Sequence, residues 1–201
     1  MSPPQPCRNK AKTAVTLSDA EQMRESKDQD FLGLVSLGDI TKVKEMIASG
    51  QETNVGDENG ESACHKAMRV GGDDMLRILV EHGAYADYAD IYGKRPIVVG
   101  MEGGEPAEGA LTFLIGLKAD DGSRIVNLTA VNDLSGNSLL HDAAWMGNTA
   151  AMKALLATGS FEQEMLEAAN KNSQRPMQCV PSPRPRKASK SLRASRCSSS
   201  L

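Results

Sequence analysis

Large aromatic side chains are nearly missing: one Trp, three Tyr and three Phe among 201 residues, 3% in all. A core must then be assembled from Leu, Ile, Val, Met and Ala, which favours packed helices over an aromatic-rich sandwich or barrel. No apolar run approaches the roughly 18 residues that a bilayer-spanning helix requires. The basic residues near the N-terminus are followed by no apolar segment of the secretory kind, so an intracellular location is expected, cytoplasmic or nuclear. Cys7, Cys64, Cys179 and Cys197 lie far apart with no C-x-x-C pair, which fits neither a zinc cluster nor a disulfide framework. Reduced thiols are the expectation, and 201 residues leave room for one ordinary domain with tails.

Charge is unevenly placed. The formal net charge is −3. Residues 181–201 hold six basic side chains, Arg184, Arg186, Lys187, Lys190, Arg193 and Arg196, and no acidic one. The rest of the chain then carries 17 basic and 26 acidic residues, an excess of nine negative charges. Such a body repels nucleic acid and anionic membrane and leaves the tail as the only electrostatic candidate for either.

A frame repeats along the body. Asp57-Glu-Asn-Gly60-Glu-Ser-Ala-Cys-His65 and Asp133-Leu-Ser-Gly136-Asn-Ser-Leu-Leu-His141 share D-x-x-G-x-S-x-x-H, with Asp90-Ile-Tyr-Gly93-Lys-Arg-Pro96 between them. Gly71 and Gly147 follow the two histidines by six residues, and Gly83 and Gly159 follow by eighteen. Gly38 and Gly50 mark an N-terminal copy one 33-residue step earlier. Each copy reads as two short helices. Ser62 or Ser138 can cap the first, a left-handed Gly ends it, and Asp39 or Asn148 caps the second, with Pro106 suited to that helix's first turn in copy three. Apolar residues recur at i, i+3 and i+4 in the second helices: Val43, Met46 and Ile47; Leu76, Leu79 and Val80; Met152, Leu155 and Leu156. Helices this short bury too little surface alone, so neighbouring copies must stack.

These segments resemble the ankyrin repeat family. Ser62-Ala-Cys-His65-Lys-Ala67 and Ser138-Leu-Leu-His141-Asp-Ala-Ala144 are similar to its T-P-L-H-x-A-A segment, and Gly83-Ala-Tyr-Ala-Asp87 to its G-A-D-x-N turn. The resemblance implies an all-α helix-turn-helix solenoid over residues 30–180, four copies and part of a fifth, between disordered tails at 1–17 and 181–201. A polar capping helix is expected over 18–29, starting at the Ser18-x-x-Glu21 capping box. Copy three departs from the pattern. Val98 stands where His is expected, and the apolar triplet Leu111, Leu114 and Ile115 lies 35 residues after its counterpart, two out of step with the glycines Gly104 and Gly116. The apolar frame is the one that sets register, because burial constrains it. An insertion at about 120–130 is expected to protrude. The fifth copy, Asn170 to Val180, starts a first helix that Pro181 and Pro183 stop.

No chemistry announces itself. His65 and His141 hold one repeat position on separate copies, so a turn-organising hydrogen bond explains them better than catalysis or metal ligation. Cys64 and His65 are consecutive on a helix and do not face each other. The glycines of 100–109 match no dinucleotide or phosphate loop, and no cofactor is expected. What remains is a surface. By the resemblance, turn tips and the residues before the inner Gly line a concave face for a protein partner. In copy two these are Glu58, Asn59, Glu61, Arg69 and Val70; in copy three Ile91, Tyr92, Lys94 and Glu102; in copy four Leu134, Ser135, Asn137, Trp145 and Met146. Trp145 has the character of a hot spot, the competing reading being that it leans on the next helix. A monomer binding a protein of basic or mixed character is expected. Ser189 and Ser195, beside Arg and Lys, are candidate phosphorylation sites that would add about −1.5 to −2 charge each, which makes a regulatory tether one alternative. A piece of a larger enzyme or channel is the other.

Overall fold

A computed structural model describes residues 19–103 and 108–180. Among the described residues the chain folds into helix pairs. They are α1 (Asp19–Leu37) with α2 (Ile40–Ala48), α3 (Ala63–Val70) with α4 (Asp73–Glu81), α5 (Pro96–Gly103) with α6 (Glu108–Gly116), and α7 (Leu139–Met146) with α8 (Thr149–Ala157). A short α9 (Gln163–Glu167) and a 3-10 turn over Pro176–Gln178 follow. Among the described residues strand pairing is limited to isolated antiparallel bridges, Gly56 with Ser62, Lys118 with Arg124 and Val131 with Ser138. First helices pack in the order α1, α3, α5, α7, then the 3-10 turn; second helices in the order α2, α4, α6, α8. This is a linear stack.

The stack exists because helices of eight or nine residues are too short to hold themselves. Their apolar stripes meet in one core that runs the length of the pile, with Met68, Leu76, Leu79, Ile97, Met101, Leu114, Leu139, Leu140 and Leu155 fully buried. Phe31 is the only fully buried Phe, Tyr or Trp among the described residues. Each such side chain contributes about 1.5–3 kcal/mol through burial. The copies begin and end as the pattern requires: Asp39 accepts from the Lys42 N–H at 3.1 Å, Asn148 from the Ala151 N–H at 2.9 Å, and Gly71 and Gly147 close α3 and α7 in the left-handed region.

The structure corrects several expectations. The polar helix expected over 18–29 is present from Asp19, Ser18 lying outside the described residues, but is not a separate element, since α1 runs unbroken through the first helix of copy one. Phe31, Leu32 and Val35 anchor its C-terminal half in the core and the polar half continues as the same helix. The insertion after copy three does not simply protrude: Val126 and Leu128 are buried, Arg124 donates to the Ile115 carbonyl at 2.6 Å, and the Ile125 N–H reaches Leu117. Leu156, expected on the buried face of α8, is 46% exposed, and Ala151 takes its share of the contact beside Leu155. In copy three α5 starts 33 residues after α3 and α6 starts 35 after α4, with Leu111, Leu114 and Ile115 buried, so the two extra residues fall between the helices. Pro106 and the two tails, with Ser189 and Ser195, lie outside the described residues.

The frame in copy four also shifts. In copies two and three the turn is tied by an aspartate: Asp57 Oδ1 accepts from Asn59 and Glu61, and Asp90 Oδ1 from Tyr92 and Lys94. In copy four the acceptor is Asn132, which holds Leu134 and Ser135, and not Asp133 as the D-x-x-G match implies. Its turn is one residue longer. Copy five returns to the shorter form, Asn170 Oδ1 accepting from Asn172 and Gln174. There Ser173 takes the place of Gly60 and Gly93 and is the only non-glycine described with positive φ, at 58°. An L side chain in that region costs about 1–2 kcal/mol, against about 0.5–1 for glycine's extra chain entropy. Ser173→Gly is therefore expected to stabilise copy five by up to about 1 kcal/mol, read as slower hydrogen exchange across 170–180. Unchanged or faster exchange would show the turn to be unstrained.

Candidate protein-binding face

The turns project from the stack as a row, and hydrogen bonds zip neighbouring tips together. The Ile91 N–H donates to the Asn59 carbonyl at 3.0 Å, Asn132 Nδ2 to the Gly93 carbonyl at 2.8 Å, and the Lys171 N–H to the Ser135 carbonyl at 3.1 Å. The tips are packed closely. A Cβ on Gly93 would come within 2.9 Å of Asn132, and one on Gly136 within 2.8 Å of the Lys171 nitrogen, so glycine is required there by space as well as by φ.

Histidine ties two of the turns, those at 90–95 and 170–175, to the first helix of the preceding copy. His65 is fully buried; its Nδ1 accepts from the Ser62 N–H at 3.0 Å, and its Nε2 lies 3.0 Å from the Lys94 carbonyl of the next copy. Because Nδ1 is an acceptor, the proton sits on Nε2 and is donated across the copy boundary. His141 repeats this with Ser138 and the Gln174 carbonyl at 2.9 Å. Burial lowers the His65 pKa below its ordinary 6.5 despite the neighbouring Lys94 carbonyl, so the ring is neutral. Both nitrogens are occupied structurally.

The expected binding residues divide. Val70, Ile91, Tyr92, Leu134 and Trp145 are apolar yet 44–65% exposed, and Glu58, Asn59, Glu102 and Arg69 are exposed beside them. Glu61 and Lys94 are half-buried and paired with the helix across from them, Glu61 with Arg69 and Lys94 with Glu102 at 2.8 Å. Those contacts show that positions 69 and 102 face the turns, and Trp145 occupies the same position in copy four. Three residues are turned to structural work. Asn137 bridges Asp142 and Asn170 at 2.9 Å each, Ser135 holds the Asn137 N–H, and Met146 packs partly against the core. Sequence reasoning missed Leu37, 80% exposed and one 33-residue step before Val70, a step that the glycine spacing already offered.

Electrostatics on this face is mostly internal. Lys66 lies 2.6 Å from both Asp57 and Glu61. Burial pushes both carboxyls up, but the Lys66 hydrogen bonds and charge outweigh it and leave them below the usual range. Asp142 goes the other way, raised by burial against its bond from Asn137. No group of three or more His, Cys, Asp or Glu suited to a metal occurs among the described residues, and none of their helices is long and apolar enough to cross a membrane.

No protein-family model matches the chain. Three curated proteins are similar over parts of it. A transient receptor potential cation channel subfamily A member 1 homolog of Caenorhabditis elegans is 30% identical over 105 residues, 51% of this chain and 8% of that protein. An ankyrin repeat-containing protein of Schizosaccharomyces pombe is 37% identical over 62 residues, 31% of this chain and 30% of its own length. Myotrophin of Xenopus tropicalis is 32% identical over 57 residues, 28% of this chain and 48% of its own. The chain thus spans less than half the length of each of these relatives.

Proposed function

The chain belongs to the ankyrin-repeat family, and from that premise we propose that it is a non-catalytic module that binds a protein partner on its concave face. The observation that carries the proposal is Trp145. The only Trp in the sequence is left 65% exposed at a position whose counterparts, Arg69 and Glu102, face the turn row, with exposed Tyr92 and Leu134 at the tips. Burying an indole and a phenol on association gains large area at low entropic cost, which is the ordinary make-up of a hot spot. The core makes no demand for either ring. Trp145→Ala with Tyr92→Ala is expected to weaken a captured partner by about thirtyfold or more, with helical CD and Tm unchanged. Loss of folding would place both rings in the structural core and end the proposal.

A second reading is favoured by the charge segregation alone: a body that binds protein and a basic tail, 181–201, that touches an anionic surface. Under it, deleting 181–201 removes a steeply salt-dependent binding component. Under the first reading, deletion changes nothing at the face.

A further inference from the structure

The concave face is not chemically uniform along the stack. Helix positions 69, 102 and 145 stand opposite turn positions 61, 94 and 137. In copy two the base is on the helix and the acid on the turn, Arg69 with Glu61; in copy three the polarity is reversed, Glu102 on the helix and Lys94 on the turn. In copy four neither of the two positions is charged. Trp145 takes the helix position, and Asn137 is turned inward to Asp142 and Asn170. A segment bearing a run of one sign along this groove is attracted to one row at copy two and repelled from the same row one copy later, so it gains little. The acidic excess lies elsewhere, for example on the exposed Glu162, Glu164 and Glu167 around α9.

We infer that the face recognises an uncharged, apolar segment of its partner, seated at the copy-three to copy-four end with an aliphatic or aromatic side chain among Tyr92, Leu134 and Trp145. This rests on the concave-face reading above and departs from the basic partner that the overall charge suggests. The two charge pairs of reversed polarity act against segments of either sign, and the exposed rings supply the affinity.

Random dodecapeptides displayed against the intact 201-residue chain test the inference, with labelled copies of the selected peptides measured by anisotropy. The expected peptides have net charge near zero and aliphatic or aromatic anchors. Their affinity falls about tenfold or more in Trp145→Ala or Tyr92→Ala. It changes less than about twofold in Glu102→Gln, or between low and high salt. Net-basic peptides whose affinity collapses with salt but still depends on Trp145 would overturn the partner chemistry while leaving the concave face standing as the binding surface. Peptides indifferent to both ring substitutions, or no Trp145-dependent binder at all, would overturn both.

Discussion

His65→Ala is expected to lose about 3–4 kcal/mol of stability, a large part of the 5–15 kcal/mol typical of a domain. The ring is fully buried and spans two copies, taking the Ser62 N–H on one nitrogen and giving a proton to the Lys94 carbonyl on the other. Removing it leaves a cavity and two partners without a bond in a site closed to water. The damage falls on the boundary and not on one helix, so hydrogen exchange should rise across both α3 and the 90–95 turn. His82→Ala, at an exposed ring, should stay within about 0.5 kcal/mol. The His65 contribution is also pH-dependent. Its folded pKa lies below the unfolded value near 6.5, so as pH falls through 6.5 the unfolded chain takes up a proton that the folded chain does not. Stability drops with acid in that window, and the difference between wild type and His65→Ala should narrow. Parallel melting curves at pH 7.5 and pH 5 would show that the ring is not held neutral.

Arg95→Ala is expected to cost about 3 kcal/mol at the junction of copies three and four. Copy three lacks the bridging histidine, Val98 being buried in its place, and a different clamp holds its turn region. The Arg95 guanidinium donates to Asp87 at 3.0 Å, to the Asn127 carbonyl at 2.6 Å and to the Ala130 carbonyl at 3.3 Å, while Asp87 accepts from the Asn127 N–H at 2.8 Å. Only 12% of the Arg95 side chain and 19% of the Asp87 side chain reach solvent. Burial already raises the Asp87 pKa against the pull of Arg95. Without the guanidinium its charge is stranded, and two carbonyls lose their donor. Asp87→Asn keeps an acceptor for Asn127 and should cost less than half as much. A carboxyl raised in the folded state favours folding in its protonated form, so the Arg95→Ala deficit should shrink as pH falls toward about 4. A deficit that stays the same as pH falls would assign the damage to the lost packing of the arginine stem alone.

Much of this was legible in the sequence because the repeat makes demands that few residues meet. Gly71 and Gly147 end helices in the left-handed region, His65 and His141 need a buried imidazole with two partners, and the i, i+3, i+4 stripes fix which side of α4 and α6 is covered. Where the structure differs from the pattern, the cause is local. Matching Asp133 to Asp57 was a coincidence of letters, since a one-residue insertion moves the turn acceptor to Asn132, whose amide does the same bonding as a carboxylate. In the insertion after copy three polar residues outnumber Val126 and Leu128, so the burial of these two does not show in the pattern. Asn137 fits the face by repeat position, and sequence does not show that Asn170 donates to its amide oxygen across the copy boundary. Repeat position puts Tyr92 and Trp145 outside the core, but it is the structure, with Trp145 65% exposed, that decides against the indole leaning on the next helix.

The most direct test of the binding face is the fluorescence of Trp145, the sole indole in the chain, titrated with a peptide or captured partner that itself lacks Trp. The account predicts emission typical of a solvated indole and easy acrylamide quenching in the free protein, then a blue shift and loss of quenching as the complex saturates. An indole whose emission and quenching stay the same at saturation would contradict it.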